Sequence, residues 1–195
     1  MNKIFALILT LLVACTDKKQ SNNVNDTETN QKTNINNEIP KIKYGNKFFQ
    51  YDAIDYYHLE KENKSVKSLF ENKKKSKIDR LKFEVIVNET PDNLQDQDFL
   101  IYMDEIGYSK KKIDSAKFEA LNKIFIEKPY EDGTARACIP VYRDILIFKN
   151  NDEITGMMKI CFNCHQYRIL GTKANTDNFG SDGDYLQLWN ILSKD

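Results

Sequence analysis

The chain has 195 residues, of which 29 are basic and 29 acidic, and 41% are hydrophobic. The balanced charge implies no strong electrostatic partner, while the length allows one domain with a real core. Two histidines leave no room for an H-E-x-x-H metal site alongside other histidine chemistry, and no G-x-S-x-G, G-x-G-x-x-G or Walker-type loop occurs.

Met1-Asn2-Lys3 precedes an apolar run over 4–13 broken only by Thr10, followed by Ala14 and Cys15. One positive charge, a short apolar stretch and a small residue are the layout of a secretory signal, and roughly ten apolar residues are too few to span a bilayer. Leu12-Val13-Ala14-Cys15 resembles the lipobox of bacterial lipoproteins. The resemblance implies that residues 1–14 are removed and that the Cys15 sulfur carries lipid. The protein is then anchored to the bacterial cell envelope by acyl chains instead of spanning it. Thr16 in place of Asp at the second mature position favours the outer membrane. An ordinary signal cut near Ala14, leaving Cys15 a plain thiol, is the alternative.

Residues 15–40 contain few apolar side chains, too few to offset the entropy of ordering them, and are expected to form a disordered tether. A single globular α+β domain is expected over 41–195. Residues 51–59 are aromatic-rich and read as a strand. Over 76–88 the pattern supports two readings. Leu81, Phe83, Val85 and Val87 alternate as in a strand, yet Ile78, Leu81 and Val85 share a helical face.

Residues 98–106 are predicted to be a helix with Phe99, Met103 and Ile106 on one stripe and Gly107 ending it. Residues 114–126 follow as another, with Phe118, Leu121 and Phe125. Pro129 and Gly133 break the pattern. The runs Lys73-Lys74-Lys75 and Lys110-Lys111-Lys112 read as solvated faces.

The clearest β signal is the pair 142–148 and 154–162 around a polar turn, a hairpin, with a third strand at 166–170. Tyr185, Leu188, Trp189 and Leu192 recur at helical spacing, so the chain closes on an amphipathic helix capped by Ser181, Asp182 or Asp184. Asp177, Asp182 and Asp184 lack the spacing of a calcium loop. The fold class is therefore α+β: a small antiparallel sheet with a C-terminal hairpin, packed by helices. The hairpin and its cysteines resemble uncharacterised exported bacterial proteins that carry a C-x-x-C at a strand end, a resemblance that brings no activity or ligand with it.

Cys161-Phe162-Asn163-Cys164-His165 matches C-x-x-C-H, the attachment signature of c-type haem. Haem cytochromes carry it on a helix, whereas here it ends a strand, where alternate side chains point to opposite faces. A dithiol catalyst at Cys161 and Cys164 needs a helix N-terminus to lower a thiol pKa, and none is expected there. Zinc on Cys138, Cys161, Cys164 and His165 competes with disulfide formation in an oxidising compartment.

The reading adopted is a structural disulfide. A turn centred on Asn150, Asn151 and Asp152 brings Cys138 opposite residues 163–165, and one such register sets Asp144 against Lys159. Pro140 lacks an N–H and a bulge shifts the count by one, but Cys138 stays nearer Cys164 than Cys161. Cys161 is then a packed free thiol. No catalytic residue and no metal are assigned, and His58, between Tyr57 and Leu59, reads as an ordinary histidine. The function expected is that of a non-enzymatic binding or structural protein of the envelope, of which a toxin-neutralising immunity protein is one kind. Its partners are the membrane, through the lipid, and another protein, with no nucleic acid and no nameable small ligand. A redox protein using Cys161 and Cys164, as haem carrier or dithiol, is the alternative.

Overall fold

Ile145-Leu146-Ile147-Phe148 is apolar at consecutive positions, which a strand sustains when both faces of its sheet are covered. A computed structural model describes residues 45–60, 63–129, 137–181 and 183–194, with backbone alone over 63–65. Its strands are β1 (Ala53–His58), β2 (Ser109–Lys112), β3 (Asp144–Asn150), β4 (Glu153–Cys161) and β5 (Gln166–Leu170). They form one antiparallel sheet in the order β2-β1-β3-β4-β5. The apolar run of β3 is thus the central strand. The expected signal, lipobox and tether, with Cys15, lie outside the described residues.

Helices cover both faces. On one face Leu146, Phe148, Met158 and Ile160 pack with α4 (Phe118–Ile124) and α5 (Asp184–Leu192) through Leu121, Ile124, Tyr185, Leu188 and Leu192. On the other, Ile145, Ile147 and Met157 meet α1 (Asn63–Glu71), α2 (Lys77–Ile86) and α3 (Met103–Ile106) through Val66, Leu69, Val85, Ile86, Met103 and Ile106. The architecture is α+β, with the antiparallel sheet, the hairpin and the C-terminal helix as expected.

The ambiguous segment 76–88 is helical. Ser76 accepts the Asp79 N–H and donates its hydroxyl to the Asp79 carboxylate, a local cap that a strand cannot offer. Residues 98–106 start as a 3-10 turn over Asp98–Tyr102 and continue as α3, which Gly107 ends at φ 109°, returning its N–H to Met103. Asp114 caps a 3-10 turn ahead of α4, which stops at Ile124. No sequence pattern pointed to α1 or to β2. The lysines of β2 occupy an exposed edge strand, where charge blocks pairing with a further chain. Lys110 also reaches the buried Asp55 at 2.9 Å, with Lys149 on the same carboxylate at 2.6 Å. Burial works to raise the Asp55 pKa, and the two ammonium groups outweigh it and lower it.

Two expectations need correction. A bulge between Phe148 and Lys149 shifts the hairpin register, so Asp144 faces Ile160 and Lys159 faces Ile145. Lys159 therefore lies on the opposite sheet face from Asp144. The residue capping α5 is Gly183, in the left-handed region at φ 72°, with no side-chain cap. Asp184 is instead the first helical residue, fully buried, accepting the Gly180 N–H and pairing with Lys128. Ser181 donates to the Asn178 carbonyl, and Asp182 lies outside the described residues.

Candidate functional site

The sheet order brings the last residue of β1, the first of β3 and the end of β4 to one edge of the molecule. Tyr56 and His58 stand two apart in β1 and so share a sheet face. His58 pairs across the ladder with Asp144. The Asp144 side chain is 5% exposed and holds both neighbours. Tyr56 donates its hydroxyl to Asp144 Oδ1 at 2.5 Å, and His58 Nδ1 lies 2.8 Å from the same oxygen. An ionised carboxylate only accepts, so Nδ1 carries the hydrogen in its bond to Asp144. Burial first, then the Asp144 charge, raises the Tyr56 pKa far above its usual value, which keeps the phenol a donor.

His58 is 30% exposed at the side chain and lines two clefts, as does Trp189 of α5. One cleft, about 370 Å³, adds Tyr56, Glu60, Ser109, Lys110, Lys111 and Ser193. The other, about 250 Å³, adds Arg143, Asp144, Phe162, Asn163 and the cysteines 161 and 164. Trp189 belongs to the apolar stripe of α5 in the sequence, yet it is 44% exposed. Phe162 meets its indole edge-on, with centroids 5.2 Å apart and planes at 74°, so the ring is held as a wall.

The cysteines border the same place. Cys138 and Cys164 stand at disulfide distance with Cα atoms 6.1 Å apart. Residues around Cys138 are not in a strand, so the approach comes from the loop before β3 folding over the β4–β5 turn, fastened by Gln166 Nε2 donating to the Cys138 carbonyl at 2.8 Å. Cys161 is buried and free, accepting the Val141 N–H on its sulfur at 3.4 Å. His165 has φ 51° and its ring stacks on Tyr185, centroids 4.6 Å apart. One cysteine thus faces the core, the second is held to Cys138 and the histidine lies on a tyrosine, so the three groups of C-x-x-C-H do not converge. Among the described residues no group of three or more His, Cys, Asp or Glu side chains is placed to hold a metal ion.

The grouping of Tyr56, His58, Asp144 and Trp189 is absent from the sequence reading. The spacing of Tyr56 and His58 signals a shared face, but their carboxylate lies 86 residues along the chain from His58. Compared with protein-family models, curated proteins and solved structures, the chain matches none.

Proposed function

We propose that this chain is a lipid-anchored protein of the bacterial envelope, the outer membrane favoured, whose folded domain acts by binding through the cleft shared by His58 and Trp189. One observation carries the binding reading. The only tryptophan of the chain is fixed by Phe162 yet left 44% exposed, beside a histidine whose Nδ1 a buried carboxylate holds. A preformed concave site with an aromatic wall and a few placed polar groups is the usual form of a ligand site. The Cys138–Cys164 disulfide serves as a staple for the cleft rim. In the chain-entropy model, closing a loop of this size contributes about 3 kcal/mol. The address rests on the lipobox at Cys15.

Both halves are testable with the full chain. Cys15→Ala should move the protein out of the membrane fraction of its native host, and retention there with an unchanged mass would refute the anchor. Trp189 emission should change saturably when detergent-purified protein meets envelope extract of that host, and His58→Ala should weaken the response. An emission spectrum indifferent to every fraction of the extract would refute binding at this cleft.

A further inference from the structure

We propose that Cys161 is an internal exchange partner of the Cys138–Cys164 disulfide, so that the staple at the cleft rim moves to Cys161–Cys164 and releases the segment ahead of β3. The exchange concerns the cysteines alone, and its effect on the cleft rests on the binding reading above. One short segment gathers the three sulfurs. Cys138 is joined to Cys164, the Ile139 carbonyl lies 3.5 Å from the Cys164 sulfur, and the Val141 N–H reaches the Cys161 sulfur at 3.4 Å. Cys161 ends β4 and pairs with Gln166 at the start of β5, so residues 162–165 form the whole connection and are turn throughout. His165, at φ 51°, closes it. Cys161 and Cys164 stand three apart here, a spacing that a β-turn holds with Cα atoms within about 7 Å, against the roughly 4.4–6.8 Å that a disulfide spans. Both line the cleft of about 250 Å³ and so border the same open space.

The Cys161 thiolate attacks the Cys164 sulfur, the Cys161–Cys164 bond forms and the Cys138–Cys164 bond breaks. The Cys138 sulfur leaves as a thiolate and takes up the proton that Cys161 gave up. One disulfide and one thiol stand on each side, so no outside oxidant or reductant is consumed. Attack requires the Cys161 side chain to leave the Val141 N–H and rotate towards the turn, which makes the exchanged form the minor one at rest. Cys161 is buried and Cys138 is exposed, so the exchange carries the free thiol from the interior to the surface. It also unfastens the Cys138 segment from the β4–β5 turn. Val141 and Arg143, on the chain leading from Cys138 into β3, line the cleft together with Cys164 and Trp189, so its rim loosens.

Trapping the released thiol decides the point. The full chain in detergent, kept at pH 8 without reductant, would be treated with iodoacetamide, quenched in acid and mapped as unreduced peptides, which keeps Cys15 apart from the other three. The expected product carries the label on Cys138 and a Cys161–Cys164 link. In Cys161→Ser, or Cys161→Ala where serine disturbs the packing, labelling of Cys138 should slow by about tenfold or more, because the attacking sulfur is gone. Label on Cys161 with Cys138–Cys164 intact, label on neither, or equal labelling of Cys138 in wild type and variant would overturn the proposal. The trapped protein should then show a several-fold weaker Trp189 response to envelope extract than untreated protein, whereas Cys161→Ser treated alike should keep its response. An undiminished response of the trapped protein would refute the effect on the cleft. Silence of the untreated protein would end the binding reading and that effect with it, while the peptide map decides the exchange by itself.

Discussion

Gly156→Val should destabilise the fold by several kcal/mol, enough to leave much of the chain unfolded when the whole stability of a domain is about 5–15 kcal/mol. Gly156 is a buried residue of β4 facing Phe148, one position past the bulge at Thr155. A Cβ there would fall on Cδ1 and Cε1 of Phe49. That ring has nowhere to retreat. It is stacked on Phe148 with centroids 4.0 Å apart and set edge-on to Phe125 and Phe48. Forcing extra methyl groups into such packing costs about 1–3 kcal/mol for a small change and more for a branched one. Gly156→Ala is the milder version and should still lower the midpoint of chemical denaturation. Where space exists, Ala in a strand is favoured over Gly by up to about 1 kcal/mol, so an alanine variant as stable as wild type would show that the Phe49 stack yields.

Lys159→Met should cost up to about 2–4 kcal/mol near pH 10, because it removes a donor from two part-buried carbonyls, at about 1–3 kcal/mol for each polar group left unpaired. Lys159 is fully buried, and its Nζ donates to the carbonyls of Asn88 and Thr90 at 2.7 and 2.8 Å. It also lies 4.5 Å from the centre of the Tyr142 ring. The amine ties the chain after α2 to the sheet. Burial, followed by the nearby Arg168 charge, pushes its pKa down from 10.5 to about 7.

Between those two values the unfolded chain holds a proton that the folded one has released. Unfolding then takes up a proton, so this group makes stability rise with pH from about 7 towards 10.5 and level off below. Neutral Lys159 keeps two N–H groups, enough for both carbonyls. The gap in stability between wild type and Lys159→Met should accordingly widen as pH is raised through that window. Urea titrations of both proteins at several pH values measure it, and a gap that narrows would mean that the folded state binds the charged amine more tightly than the unfolded chain does.

The hairpin β3–β4 was legible because an unbroken apolar run flanked by turn residues has few other solutions once both sheet faces are covered. The Cys138 and Cys164 pair also came out of the sequence, although the register behind it did not survive. The bulge at Thr155 moves Lys159 away from Asp144, and the Cys138 segment approaches as a loop and not as a ladder. Over 76–88 the same apolar residues satisfy both periods, and only the Ser76–Asp79 cap, which lies outside that pattern, decides for helix.

The site was hidden for a different reason. Tyr56, His58 and Asp144 form a unit only when β1 and β3 are paired, so no local window contains it. Trp189 was misleading in its own way, since helical spacing placed it among core residues. Leu188 and Leu192 of the same stripe are buried in the core, while Trp189 between them is 44% exposed and lies against Phe162 as a wall of the cleft.

Hydrogen–deuterium exchange of the full chain, with and without envelope extract of its native host, tests the binding cleft most directly. A second, more apolar groove of about 590 Å³, lined by Ile78, Leu81 and Tyr102 along α2, provides the internal control. Exchange should slow at residues 56–60, 109–111, 141–144, 162–164 and 189–193 and stay unchanged over 76–105. Protection confined to 76–105, or none at either place, would contradict the assignment of binding to the His58–Trp189 cleft.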